Sequence, residues 1–262
     1  MRSIHIISEV DGKTNEERKR FGFARLTFRH LLDFGVIPCY IKDEELSRTS
    51  KDIGDTRTLP FFKDLINIGI NRFNPDIIFF SNADTNFCSN TIEVVSKALE
   101  QKEVCYARRW NFKTLEQEIT PDKIKEGVLE PYGADLVVFT FKWWNEYKDF
   151  YPDCLVACHK WDVLLSDLFE ITTPRCEVKD IIYHLEHEYY WRQPSNFLFN
   201  KGQKWNKDVS KGVYEKYRIL RLLAGMMRGE IDRDYGFGSC NHELKSIYQQ
   251  ESNLLKFFCN PL

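Results

Sequence analysis

Several short segments carry side chains that can bind phosphate, hold a cation or move a proton. Most stand at the end of an apolar run, and the others at the start of a strand or helix. Ser81-Asn82-Ala83-Asp84-Thr85-Asn86 follows the run Asp76-Ile77-Ile78-Phe79-Phe80. A carboxylate flanked by amides suits a hard divalent cation, which takes oxygen ligands and substrate phosphates. The same position also suits a helix cap, with Asp84 or Ser89 closing the first turn, so both roles stay open. Arg108-Arg109-Trp110 follows Val104-Cys105-Tyr106-Ala107. Paired guanidiniums can clamp a diphosphate, or sit solvated at the surface. Gly133-Ala134-Asp135 opens another apolar run, where Asp135 could hold sugar hydroxyls or serve a turn. Asp162, in His159-Lys160-Trp161-Asp162, stands at a helix start, where it could orient or deprotonate a hydroxyl or simply complement the helix dipole. His184 and His187 lie in Tyr183-His184-Leu185-Glu186-His187. The spacing is not the H-E-x-x-H of a metalloprotease helix, and two imidazoles beside a strand end could share a metal with a distant Asp.

These residues need elements to hold them. Ile4–Ile7, Val36–Ile41, Asp76–Phe80, Val104–Ala107, Ala134–Thr140 and Val178–Tyr183 read as buried strands, the last closing the sheet. Between them lie helical stripes: Phe21, Ala24, Phe28 and Leu31; Phe61, Leu65, Ile66 and Ile70; Ile92, Val95 and Leu99; and Trp161, Leu164, Leu165 and Leu168. Trp143-Trp144 begins a short helix, and 111–131 reads as a polar loop or lid. The alternation predicts an α/β fold with a mainly parallel, Rossmann-like central sheet flanked by helices. In such sheets ligands bind beyond the carboxyl ends of the strands, where the residues above are found. The expected division is a domain over 1–200 and a basic helical C-terminal appendage over 201–262.

Composition narrows the function. The 262 residues are 43% hydrophobic and 29% charged, with a formal net charge of −2. No global basic field exists for nucleic acid. From Lys201 to Arg228, however, eight basic residues face only Asp208 and Glu215, a local excess of +6 with Trp205, Tyr214 and Tyr217 interleaved. Such a segment could follow a phosphate backbone or form a solvated helix face. The eight cysteines form no C-x-x-C pair. A polar N-terminus and the lack of any ~20-residue apolar run predict a soluble, cytoplasmic chain with reduced thiols and no membrane partner. There is no Walker A motif, no G-x-G-x-x-G and no G-x-S-x-G elbow.

Taken together, L-P-F-F-K-D-L-I-N-I-G (59–69), D-I-I-F-F-S-N-A-D-T (76–85), A-R-R-W (107–110), G-A-D-L-V-V-F-T (133–140), W-D-V-L-L-S-D-L (161–168) and Y-H-L-E-H-E-Y-Y-W (183–191) resemble the nucleotide-diphospho-sugar transferases of the GT-A fold. The resemblance implies sugar transfer from a nucleoside diphosphate sugar to an acceptor hydroxyl, assisted by Mn²⁺ or Mg²⁺. It places Asn82 and Asp84 at the family's D-x-D motif, with Asn82 replacing the first acid. It makes Asp84 a metal ligand together with His184 or its rival His187, and Asp162 the acceptor-side acid; Asp135 joins Asp162 at the reacting centre. Asn82, Asp84, Arg108 and Arg109 then hold the donor, and Ser8, Lys13 and Arg25 resemble its base and ribose pocket. The acceptor stays open, and a hydroxymethylated pyrimidine in DNA, as a phage-type transferase would use, fits the basic segment. Two other readings are a non-catalytic nucleotide-sugar or nucleic-acid binding module, which the Asn82 departure favours, and a nucleotidyltransferase, which the missing glycine-rich loop disfavours.

Overall fold

The computed structural model describes residues 1–8, 15–55, 58–114, 117–131, 133–158, 160–173, 175–187 and 200–213. The chain begins β1 (Ser3–Ser8), α1 (Asn15–Thr27), α2 (Arg29–Leu32) and β2 (Val36–Ile41). It continues α3 (Phe62–Phe73), β3 (Ile77–Ser81), β4 (Asn86–Phe87), α4 (Thr91–Leu99), β5 (Val104–Ala107) and β6 (Trp110–Phe112). Then come β7 (Val128–Leu129), β8 (Leu136–Thr140), α5 (Phe141–Tyr147), α6 (Trp161–Thr172), β9 (Glu177–Val178), β10 (Ile182–Leu185) and α7 (Asn200–Val209).

The main sheet has the order β2-β1-β3-β8-β5-β9. All neighbours run parallel except β8, which is antiparallel to both β3 and β5. The mainly parallel sheet flanked by helices is therefore present. The reversed strand has a functional effect: the start of β8 meets the carboxyl ends of β3 and β5. A side chain just before β8 therefore reaches the edge of the sheet where those strands end.

Every residue of β3 is buried, because the sheet is covered on both faces. Ile78 and Phe80 face a core with Phe62, Leu65, Phe139, Trp144, Trp161 and Leu164. Ile77 and Phe79 face the opposite core with Ala24, Phe28, Leu31 and Val95. Strand alternation divides the apolar run between two layers. Each such side chain contributes roughly 1.5–3 kcal/mol on burial, so the strand that carries Asn82 and Asp84 is held firmly. α3 lies unusually close to β1. A Cβ at Gly69 would come 2.5 Å from Ile6 Cδ1, and glycine leaves room for that approach.

Two expected elements differ. The run Val178–Tyr183 is not one closing strand. It splits at Asp180, whose φ is +61°, so that β9 edges the main sheet and β10 enters a second sheet, β4-β10-β6-β7. The 111–131 segment is not all loop, since it contains part of β6, a 3-10 turn at Ile124–Glu126, and β7. It is pinned down, with Glu118 paired to Arg29 and His30 and the Ile119 N–H donated to Tyr183 Oη at 3.2 Å.

Past residue 200, α7 seats Asn206 against the chain at Leu155, accepting its N–H at 2.8 Å and donating to its carbonyl at 2.9 Å. Trp205 turns inward, donating to the Asp153 carbonyl at 2.8 Å and meeting Phe61 edge to face. It therefore offers no stacking platform of the kind expected from its place among lysines. Tyr214, Tyr217 and the rest of the basic segment lie outside the described residues. The six described cysteines are buried. No described helix is long and apolar enough to cross a membrane.

Candidate functional site

At the end of β3 the chain turns, with the Thr85 N–H donated to the Asn82 carbonyl at 3.1 Å. Two buried side chains fix this turn. Ser81 Oγ lies 2.8 Å from His5 Nε2 and donates to the Asn82 carbonyl at 3.2 Å. Burial depresses the His5 imidazole to about 3, so it is neutral and its Nε2–H donates to Ser81. Asn86 on β4 uses its amino group on the carbonyls of Asp84 and Tyr183, both at 3.3 Å. It thereby ties the Asp84 turn to the strand that carries His184.

The turn and β10 bring Asp84, His184 and His187 together. His184 Nε2 and His187 Nε2 stand 3.1 and 3.4 Å from the same oxygen, Asp84 Oδ2. Burial alone would raise the Asp84 carboxyl, but the two imidazoles and the Arg20 guanidinium at 3.1 Å outweigh it and hold the carboxyl well below the usual range. Burial holds the His184 imidazole below its ordinary value, so it is neutral near pH 7. With Nε2–H given to Asp84, its Nδ1 lone pair is buried without a partner among the described residues.

This set fits a divalent metal. One ligand atom from each of the three residues lies within 4.8 Å of the others. Adjacent ligands of an octahedral ion stand about 3.1 Å apart when the bonds are roughly 2.2 Å, close to the contacts seen. One carboxylate with two imidazoles suits Mn²⁺ better than Mg²⁺, which prefers oxygen alone. Both His184 and His187 face Asp84.

A second cluster adjoins the first. Asp135, 5% exposed, precedes β8. Its Oδ1 accepts Arg109 Nη1 at 2.5 Å and Asn82 Nδ2 at 3.1 Å. Asn82 thus uses its amide to join the two clusters. The Arg109 charge is also felt by His184.

Asp162 enters from the first turn of α6, accepting the Ala134 N–H at 3.3 Å. A simple capping acid would be depressed by the helix amides. Burial, with the Asp135 charge, instead pushes Asp162 up to about 6. Gly133 makes this approach possible. Its φ is +81°, and an added Cβ would lie 1.9 Å from Asp162 Oδ2. Gly133→Ala is accordingly expected to displace Asp162 and destabilise the fold by about 1–3 kcal/mol, read as a lowered urea midpoint together with loss of activity.

Not every expected residue arrives. Arg108 turns away from Arg109, bonding Glu177 Oε1 at 2.7 Å and the Pro131 carbonyl at 3.2 Å. Consecutive residues on extended chain face opposite ways, so no two-arginine clamp forms. Arg25 is exposed on α1, with its guanidinium 6.0 Å from the Tyr40 ring centroid. Ser8 ends β1 at the same sheet edge as β3, half-buried. Lys13 lies outside the described residues. Arg20 was not anticipated. It shares a helix face with buried Ala24, Thr27 and Phe28, and a charge on an apolar face calls for a partner.

No family model matches the chain, and no curated protein does. Among solved structures, the chain is similar to S. aureus TarS 1-349 in complex with UDP-GlcNAc at 8% identity, covering 98% of this chain and 81% of that one, with a TM-score of 0.49. A glycosyltransferase involved in glycosylation of the major capsid of PBCV-1 matches at 11% identity over 70% and 81%, with a TM-score of 0.36. The 4-diphosphocytidyl-2C-methyl-D-erythritol synthase of Anaerococcus prevotii matches at 10% identity over 78% and 98%, with a TM-score of 0.34. With every TM-score below 0.5, these likenesses carry no argument about this chain.

Proposed function

We propose that this chain transfers a sugar from a nucleoside diphosphate sugar to an acceptor hydroxyl. The observation that carries the reading is the convergence of Asp84, His184 and His187 with Asn82, Asp135, Arg109 and Asp162 at the carboxyl edge of the sheet. Asp84, His184 and His187 would hold a divalent cation, Mn²⁺ by preference, which when bound neutralises charge on the departing diphosphate.

The chain's own groups do the rest. Asp135 is held in place by Arg109 and Asn82, and a carboxylate so fixed can accept bonds from donor sugar hydroxyls. Arg109 adds positive charge beside the same site. Asp162, poised at about 6, takes the proton from the attacking acceptor hydroxyl. As that oxygen bonds to the sugar carbon, the bond from that carbon to the diphosphate oxygen breaks and the nucleoside diphosphate leaves.

The exposed lysines Lys204 and Lys207 of α7, with Lys211 in the turn after it, support a phosphate-bearing acceptor, and the hydroxymethylated-pyrimidine reading rests on them. The inward turn of Trp205 weighs against base stacking there.

The test is release of nucleoside diphosphate from a panel of nucleoside diphosphate sugars, with Mn²⁺, with Mg²⁺ and with chelator. Release that depends on one donor and on Mn²⁺ is expected. Binding of a donor with no turnover under any acceptor would favour the binding module, and pyrophosphate release from a nucleoside triphosphate would favour the nucleotidyltransferase. Duplex DNA binding that weakens steeply with salt would support the nucleic-acid acceptor.

A further inference from the structure

We propose that Arg20 is the built-in counter-ion of Asp84 in the donor-free protein and competes with a divalent cation for that carboxylate, so that Arg20 sets how tightly the site takes metal. This rests on reading Asp84, His184 and His187 as metal ligands. Arg20 lies on the buried face of α1, with its side chain 10% exposed beside an Asp84 side chain 15% exposed. Its Nε is 3.1 Å from Asp84 Oδ2, the same oxygen that meets both imidazoles. That Nε has no directed hydrogen bond among the described residues, so the contact is one of charge at close range. A cation paired in this way loses little hydrogen-bond energy on leaving.

The turn carries only one acid, because Asn82 stands where a second could be. A divalent ion on Oδ2 would therefore share a single negative charge with the guanidinium and be repelled by it at short range. Metal entry requires Arg20 to withdraw. A planar guanidinium released at this edge is well suited to a phosphate oxygen. The pair thus makes metal binding weak in the empty protein and stronger once an anionic donor offers Arg20 another partner.

The experiment titrates Mn²⁺ into the full chain without donor, following free Mn²⁺ by electron paramagnetic resonance. The proteins are wild type, Arg20→Gln, Arg20→Lys and Asp84→Asn. Arg20→Gln is expected to bind Mn²⁺ about tenfold more tightly than wild type. Arg20→Lys, which keeps the charge, should stay near wild type, and Asp84→Asn should bind poorly. Equal or weaker binding by Arg20→Gln, with the Asp84→Asn loss still present, overturns the proposal and leaves the metal reading intact. Mn²⁺ binding that does not depend on Asp84, or is absent throughout, overturns both. Circular dichroism confirms that each variant is folded, and Arg20→Met serves as a second charge-free variant if Arg20→Gln is not.

Discussion

Asp84→Asn should lower kcat/KM for sugar transfer by about three orders of magnitude. Asparagine keeps the size and shape of the side chain, and the backbone bonds that form the turn are untouched. What disappears is the single negative charge on which His184, His187 and Arg20 converge. The imidazoles and guanidinium are then left facing a neutral amide. Metal affinity falls with the charge, so the loss should appear in Mn²⁺ titrations as well as in rates. Steady-state kinetics across a Mn²⁺ series would check it. A variant as active as wild type at low Mn²⁺ would show that the reacting centre lies elsewhere.

The second large effect belongs to Asp162. Asp162→Asn should reduce kcat by about 10²–10⁴-fold while leaving the donor KM nearly unchanged, as expected for loss of a general base. In the wild type, the rate should rise with pH and reach half its plateau near the Asp162 value of about 6, because only the ionised carboxylate takes a proton. The variant should lose that limb.

Stability should move the other way. Burial and Asp135 raise the folded-state value above the ordinary 3.8, so the folded protein holds this proton more tightly than the unfolded chain does. Stability therefore falls as pH rises between 3.8 and about 6. Above that window Asp162→Asn should be more stable than wild type by roughly 1–3 kcal/mol, and the gap should close at acid pH. Urea melts at pH 4 and pH 7.5 would measure both.

Much of this could be read in the chain. β3 and β5 are unbroken apolar runs ending in polar side chains, and a buried strand followed by Asn82 and Asp84 marks the sheet edge where ligands bind. His184 and His187 stood out because two imidazoles followed a strand. The reversal of β8 was not legible, since an apolar run looks the same in either direction. The break at Asp180 was hidden for a related reason: which sheet a strand joins is decided by tertiary pairing. The parting of Arg108 from Arg109 could have been foreseen from strand alternation. Arg20 could have been found too, had a charge on the Ala24–Phe28 face been treated as needing a partner. Asn86 could be read only as an amide beside Asp84, because its tie to Tyr183 depends on a register that no local pattern encodes.

The bond between Asp84 and His184 joins residues 100 positions apart. On a ribosome adding about 5–20 residues per second, the carboxylate is therefore made some 5–20 s before its imidazole partner. Arg20, by contrast, is already there when Asp84 emerges. The nascent chain can thus bury its acidic turn against a cation of its own long before β10 is synthesised. A truncated product ending ahead of His184 would keep that ion pair and much of the sheet, yet have only a third of the proposed metal ligands. On the proposed reading, metal loading can follow only once β10 and His187 have been made.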